Sequence, residues 1–460
     1  MKHTIIILTS ILLLMANAIP AQNIVEDYDI ANDSIAEAED SIDLDDLTIV
    51  MDSYTMQYDM PAGIALNAYV MDEDSVVFDI PESMHTNIDS LLNSWYARNL
   101  LKSLDCEAKP VKAVSDTVYA QRLYNMPTIM KMPYNSIVRQ YIDIYTNRNK
   151  ALVSYMLGIS EYYMPMIEET IDRYDVPKEL KYLPIVESAL KPKAVSHVGA
   201  KGLWQFMYST GKLYGLKSNN YIEERFDPAK STDAAIRYLR DLYKMFQSWD
   251  LAIAAYNCGP GNVKKAIKRS GGKNDFWGIY RHLPRETRGY VPTFIAANYI
   301  MTYHAEHGIC PMEPNIPIAT DTLHISKNLH FSQIAELCDI DIEEIRAINP
   351  QYIRDIVPGE NEACVVRLPH ETITRFIELE DSIYCYKEET FFPKDKVEAM
   401  LKEAKASYAE SGNLVRHKIR SGENLGSIAR KYRVSVKNIQ KWNNIKGTNI
   451  RAGKYLKIYK

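Results

Sequence analysis

The sequence predicts a mainly α protein: a helical body followed by small βααβ modules. Three observations lead there. Apolar residues recur at i, i+3 and i+4 spacing through residues 90–174, as in NSIVRQYIDIYTNRNKALVSYMLGISEYYMPMIEETIDRY. No alternating strand pattern interrupts residues 162–307. The stretch Leu414 to Tyr459 reads strand, helix, helix, strand. At 460 residues the chain exceeds one ordinary domain, so roughly two to four units are expected.

Residues 1–21 carry Lys2, an apolar run from Ile5 to Met15, and the small residues Ala16, Ala18 and Ala21. That is the pattern of a secretory signal peptide, and the run is too short to span a bilayer. The first cysteine is Cys106, so no lipid-attachment site follows the signal, and no later run is apolar enough for a transmembrane segment. The expected location is across the inner membrane, in the periplasm or on the cell wall, and not obviously as a lipoprotein.

Residues 22–89 read as an acidic, disordered leader. From Gln22 to Ala97 there are 18 Asp and Glu and no Lys or Arg. The remainder after that segment holds 53 basic and 41 acidic residues, a net +12 hidden beneath the overall −5. The leader reads first as a spacer, with docking on the basic body as the sharper alternative. A basic body suits an anionic, peptide-bearing polymer; no nucleic-acid motif accompanies the charge, so no nucleic-acid partner is expected. The six cysteines show no zinc-type spacing, and no metal or cofactor is expected. Spacing does not give their connectivity. Cys338 and Cys364 fall in one small module and could pair, with two buried thiols the favoured reading.

Residues 90–161 form a helical N-terminal segment, and residues 162–307 carry the chemistry. In PKELKYLPIVES, Pro177 suits the first turn of a helix and Glu179 the positive end of its dipole. Leu180, Leu183 and Glu187 then share one face, and Pro184 should kink the run. An acid on an apolar face is desolvated, which raises its pKa and keeps it protonated as a general acid requires. A lone Glu at a helix end is more often an ion-pair partner. The residues that follow Glu187, SALKPKAVSHVGAKGLWQFM, change that weighting: glycines permit close backbone approach, and Trp204 and Gln205 offer a ring to stack on and an amide. Phe206 reads as core and Met207 as balanced between core and groove. Asp227, before Pro228, reads as an N-cap, and Glu286 as an acid near a helix start.

Glu187, Ser188, Pro192, Ala194, Ser196, Gly199, Ala200, Gly202, Leu203, Trp204, Gln205, Phe206 and Met207 resemble the first motif of the Slt-type, goose-lysozyme-like lytic transglycosylases, especially the membrane-bound murein transglycosylase D group. AAYNCGPGNV, from Ala254 to Val263, and ETRGYVP, from Glu286 to Pro292, resemble two further motifs in order. Cys258 departs from the family's usual small residue and reads as packing. The resemblance implies a lysozyme-like helical domain that cleaves peptidoglycan glycan strands. Glu187 would protonate the bond between N-acetylmuramic acid and N-acetylglucosamine, then take the proton of the muramic C6 hydroxyl, closing a 1,6-anhydro ring. It further implies that Tyr290 orients Glu187, that Ser188 and Gln205 bond sugar groups, and that Met207, Tyr256 and Asn257 line the groove.

Residues 413–460, with HKIRSGENLGSIARKY and a following NNI, resemble a LysM module. That implies glycan contacts from Ser421, Gly422, Glu423 and Asn424 in the first strand-to-helix loop, and from Asn444 and Ile445 after the second helix. Capping alone could equally explain Ser421 or Asn424. Residues 320–370 resemble a degenerate second copy without the Ser-Gly-Glu-Asn turn, and residues 371–412 read as a charged helical linker. The alternatives to a LysM-targeted lytic transglycosylase are a hydrolytic muramidase on the same fold and a non-catalytic peptidoglycan-binding scaffold. Protein partners are not legible.

Overall fold

A computed structural model describes residues 80–85, 114–312, 319–411 and 414–459, apart from positions 421, 433, 444 and 446. The expected signal peptide, most of the acidic leader, Cys106, Ser421 and Asn444 lie outside the described residues.

The first unit is helical. It runs α1 (Asp116–Asn125), α2 (Ser136–Asp143) and, after a π-helical turn at Ile144–Arg148, α3 (Lys150–Tyr174). A 3₁₀ turn at Lys178–Tyr182 leads into α4 (Leu183–Ser188), then α5 (Tyr208–Leu213), α6 (Pro228–Phe246), α7 (Trp249–Cys258), α8 (Pro260–Arg269), α9 (Phe276–Ile279) and α10 (Arg285–Tyr303). Nearly every residue of α10 from Thr287 to Met301 is buried. A helix apolar all round belongs at the centre of a fold, and α10 packs against α2, α3, α4 and α7. The expected boundary between residues 161 and 162 falls inside α3. Residues Leu152, Val153 and Met156 before it share one core with Ile167 and Ile171 after it.

Part of the expected leader is ordered. Glu82–His85 forms a 3₁₀ turn with Met84 in the main core, and Ser83 Oγ donates to the Val186 carbonyl on α4. Asn149 Nδ2 donates to the Met84 carbonyl at 3.0 Å.

The middle unit pairs β1 (Thr320–Ile325) antiparallel with β4 (Cys364–Pro369), and β2 (Asn328–His330) antiparallel with β3 (Ile356–Pro358). Between β2 and β3 lie α11 (Phe331–Cys338) and α12 (Ile342–Ile348). The stretch read as a linker corrects that expectation. α13 (His370–Glu378), α14 (Glu380–Cys385), α15 (Glu388–Phe391) and the start of α16 (Lys394–Ser411) bury Ile373, Phe376, Ile383, Phe392 and Met400 in the same core as Leu329 and Phe331. The charged residues of this stretch are only its outer face.

The last unit is β5 (Leu414–Lys418), α17 (Leu425–Tyr432), α18 (Val436–Trp442) and β6 (Tyr455–Tyr459), with β5 and β6 antiparallel. It has a small core of its own, including Ile419, Ile428, Ile439 and Ile458. Cys258, Cys338, Cys364 and Cys385 are free, and Cys310 is disulfide-bonded. Among the described residues no helix is long and apolar enough to cross a membrane.

Candidate active site

The predicted helix before Glu187 is two pieces. Proline offers no N–H, so Pro184 starts a new helix more readily than it continues one. The chain therefore makes a 3₁₀ turn and then α4, with Pro184 in its first turn. Glu179 does not lie free at a helix start: it is buried and accepts the backbone amides of Ile129 and Met130. α4 ends because Ala189 and Leu190 turn left-handed, at φ 51° and 60°. Non-glycine residues held there store strain, and such strain concentrates at functional sites.

Glu187, in the last turn of α4, is half-buried. Its Oε1 accepts the hydroxyl of Tyr290, which is 3% exposed on α10. Burial pushes the Glu187 carboxyl up to about 8; the Tyr290 hydrogen bond works the other way, and the charge of Glu286 adds to the rise. Tyr290 and Tyr256 are held far above their ordinary values by burial and by the nearby Glu187 charge. Both phenols are therefore neutral hydrogen-bond donors.

The chain after α4 forms the short hairpin that no sequence pattern revealed, with bridges Val195–Lys201 and Lys201–Phe206. Gly202 is required here: at φ 85°, a Cβ would stand 1.8 Å from the Arg225 carbonyl oxygen. Trp204 is not the stacking platform expected. It is fully buried, and its Nε1 donates to Thr232 Oγ1 at 2.8 Å. Phe206 is core, at 2% exposure. Ser188 also faces inward: it is buried, and its hydroxyl lies within donating distance of the Leu203 and Pro184 carbonyls, at 2.9 and 3.1 Å. It ties α4 to the hairpin rather than presenting a hydroxyl to a sugar.

Of the remaining expected groove residues, Tyr256 lies near enough to Glu187 to feel its charge. Gln205, at φ 46°, donates from Nε2 to the Gly202 carbonyl at 2.8 Å, which leaves Oε1 as the atom able to face a ligand. Met207 is 40% exposed at the start of α5. Tyr256 on α7 donates to the Trp204 carbonyl at 2.8 Å, and Asn257 Oδ1 accepts from Thr287 Oγ1 at 2.8 Å. Burial pushes the Asp227 carboxyl up as well, but the two rival acids are otherwise placed differently from Glu187. Asp227 Oδ1 caps α6, accepting the Ala229 and Lys230 amides at 3.0 Å each, and Glu286 is exposed. Among the described residues no cluster of three His, Cys, Asp or Glu side chains is arranged to hold a metal.

Sequence reasoning missed Glu223 and Arg225. Both are buried and paired, with Arg225 Nε and Glu223 Oε1 2.8 Å apart. The signal was the run IEERFDP, four charges in seven residues before a helix.

In the C-terminal unit Gly422 is left-handed, at φ 87°. Glu423 Oε2 takes the Arg420 amide at 2.8 Å and lies 2.7 Å from His417 Nε2. Asn424 Oδ1 accepts the Ser427 amide at 2.9 Å, so this side chain caps α17 instead of reaching out to a glycan. Ile445 is partly buried against the small core.

Three family models match the chain: a transglycosylase SLT domain over residues 164–277, a LysM-like domain of lytic transglycosylase MltD over residues 319–385, and a LysM domain over residues 417–458. The chain is 31% identical over 333 residues to membrane-bound lytic murein transglycosylase D of Escherichia coli K12, covering 72% of this chain and 70% of that protein. It is 33% identical over 123 residues to the soluble lytic murein transglycosylase of the same strain, covering 25% of this chain and 19% of that one. The solved structure of the 70 kDa soluble lytic transglycosylase of Escherichia coli aligns with 44% of this chain and 34% of its own, at 24% identity and a TM-score of 0.29.

Proposed function

The chain belongs to the lytic murein transglycosylases, and from that premise we propose that Glu187 cuts the β-1,4 bond between N-acetylmuramic acid and N-acetylglucosamine without water. One observation carries the reading: a lone carboxyl, held protonated by burial near neutral pH, with a buried tyrosine hydroxyl fixing its orientation.

The step balances with a single acid. The Glu187 proton goes to the glycosidic oxygen as the bond from muramic C1 breaks, and the glucosamine residue leaves with a free C4 hydroxyl. The substrate's acetamido group supports the developing positive charge at C1. The muramic C6 oxygen then bonds to C1, and its hydroxyl proton returns to Glu187. The enzyme ends as it began, and the product carries a 1,6-anhydro ring. A two-carboxylate glycosidase needs a second acid about 5–10 Å across the bond. Asp227 is committed to capping α6, and Glu286 is solvent-exposed.

In this reading Tyr290 orients Glu187, Gln205 offers its amide oxygen to a sugar, and Met207, Tyr256 and Asn257 line the groove. The C-terminal LysM unit targets the enzyme to peptidoglycan through Gly422, Glu423 and Ile445, and through Ser421 and Asn444 as the sequence resemblance implies. Secretion to the periplasm or cell wall fits the leader sequence and the disulfide at Cys310, since disulfides persist in oxidising compartments.

The test is mass spectrometry of muropeptides released from purified peptidoglycan by the mature protein. Products with anhydromuramic ends, one water lighter than hydrolysis products, are expected. Reducing ends would make the protein a muramidase, and absence of any product would point to a binding scaffold.

A further inference from the structure

The middle and C-terminal units share more than an element order. In each, the asparagine that ends the second helix makes the same three hydrogen bonds. Asn443 Nδ2 donates to the Ile439 and Lys457 carbonyls, and its Oδ1 accepts the Lys457 amide. Asn349 Nδ2 donates to the Ile345 and Arg367 carbonyls, and its Oδ1 accepts the Arg367 amide. Asn349 therefore stands where Asn443 stands, and in both units the loop that follows runs from the second helix toward the last strand. In the C-terminal unit it is the loop read above as a glycan contact.

In the middle unit that loop is already occupied. Tyr352 forms an antiparallel bridge with Ile222 of the catalytic unit. The Glu223 amide donates to the Gln351 carbonyl at 2.9 Å, and the Ile353 amide donates to the Tyr221 carbonyl at 2.8 Å. This is strand addition within one chain, with main-chain bonds giving the hold. Tyr221 and Ile222 sit in the core of the middle unit, and Lys217 pairs with Glu362 beside them. Arg354 and Asp355 follow in the left-handed region, at φ 62° and 59°, and Arg346 clamps Asp355 at 2.5 Å. The first strand-to-helix loop is closed as well: β2 pairs with β3, and the Phe331 amide donates to the Asp355 carbonyl at 2.9 Å.

What the dock holds is the hairpin beside Glu187. Glu223 is the joint. Its backbone is bonded to Gln351; its carboxylate takes Arg225 Nη2 at 2.7 Å, Lys201 Nζ at 3.1 Å and Ser218 Oγ at 2.8 Å. Arg225 Nη1 reaches on to the Phe206 carbonyl at 3.1 Å and the Gly199 carbonyl at 3.3 Å. Both carbonyls belong to the hairpin that carries Gln205.

We infer that the middle LysM-like unit has given this loop over from glycan to the catalytic unit, where it braces the active-site hairpin through Glu223 and Arg225. Only the contrast with the C-terminal loop rests on the proposed glycan targeting; the brace does not.

Hydrogen exchange on the full-length protein, with and without a soluble hexamer of N-acetylglucosamine, tests the inference. The Glu223 and Ile353 amides should exchange slowly in the free protein and be unchanged by the hexamer, while the loop of residues 445–454 gains protection. Fast exchange at residues 351–353, or new protection there on adding the hexamer, would overturn it. A C-terminal loop that stays silent counts against the targeting proposal alone, because protection in the free protein still decides the dock.

Two variants on opposite sides of the dock test the bracing. Arg225→Lys keeps the charge but loses the fork, and Ile353→Pro removes the donating amide. Each should lower kcat by at least about tenfold with KM and sacculus binding nearly unchanged, measured well below its own melting temperature. Full kcat in a folded Ile353→Pro enzyme would show that the middle unit braces nothing.

Discussion

At the scale of single residues, Glu187 joins chemistry to stability. Glu187→Gln removes the proton and little volume, so cleavage should fall by about a hundredfold or more while peptidoglycan binding persists. Appreciable turnover by that variant would mean another acid does the work. The same change tests the buried acid thermodynamically. Folding raises the carboxyl from its ordinary 4.5 to about 8, so the folded chain holds the proton more tightly than the unfolded one. That stabilisation is complete below pH 4.5 and lost as pH climbs to about 8. The glutamine variant has nothing to lose, so its melting temperature relative to wild type should rise across that window and level off above it. Tyr290 gives a second handle. Its hydrogen bond lowers the Glu187 pKa, so Tyr290→Phe should move the alkaline limb of kcat/KM to higher pH as kcat falls. A limb that stays still would leave Tyr290 no direct bond to the acid in solution. Glu187 was legible as a candidate acid because its motif is dense in small, aromatic and amide residues. The inward turn of Ser188 and Trp204 was not, because composition does not say which side of a hairpin faces the core.

At the scale of elements, spacing revealed the helices but not where they break or what they cover. Pro184 was legible as an interruption, but not that it opens a new helix after a 3₁₀ turn at Lys178–Tyr182. Residues 371–412 were misread because amphipathic helices and charged linkers share a composition, and only the buried face tells them apart. Phe376, 2% exposed on α13, decides between the two. Phe376→Ala should cost about 3–5 kcal/mol by chemical denaturation, as a buried phenylalanine does, whereas a linker residue would change stability by less than about 0.5 kcal/mol. Capping was read correctly at Asp227, where an acid before a proline is a local signal. The bridge from Ile222 to Tyr352 left no such trace, since main-chain pairing of two short irregular segments has no side-chain signature.

At the scale of the whole molecule, the order of units was legible from three separate motifs and the βααβ patterns, while their contacts were not. The C-terminal unit has its own small core, so removing residues 414–460 should weaken sacculus binding more than it slows cleavage of short soluble glycans. Equal losses in a pull-down and a turnover assay would make that unit part of the active domain. The central position of α10 has a consequence in time. Glu187 and Tyr290 are 103 residues apart in the chain, so an emerging polypeptide presents the acid long before the hydroxyl bonded to it. At ordinary synthesis rates that interval is roughly 5–20 s. Until α10 arrives and packs, Glu187 lacks the Tyr290 hydroxyl and the buried helix beside it. A chain ending before residue 290 therefore carries Glu187 without the tyrosine bonded to it, and should release no product from purified peptidoglycan.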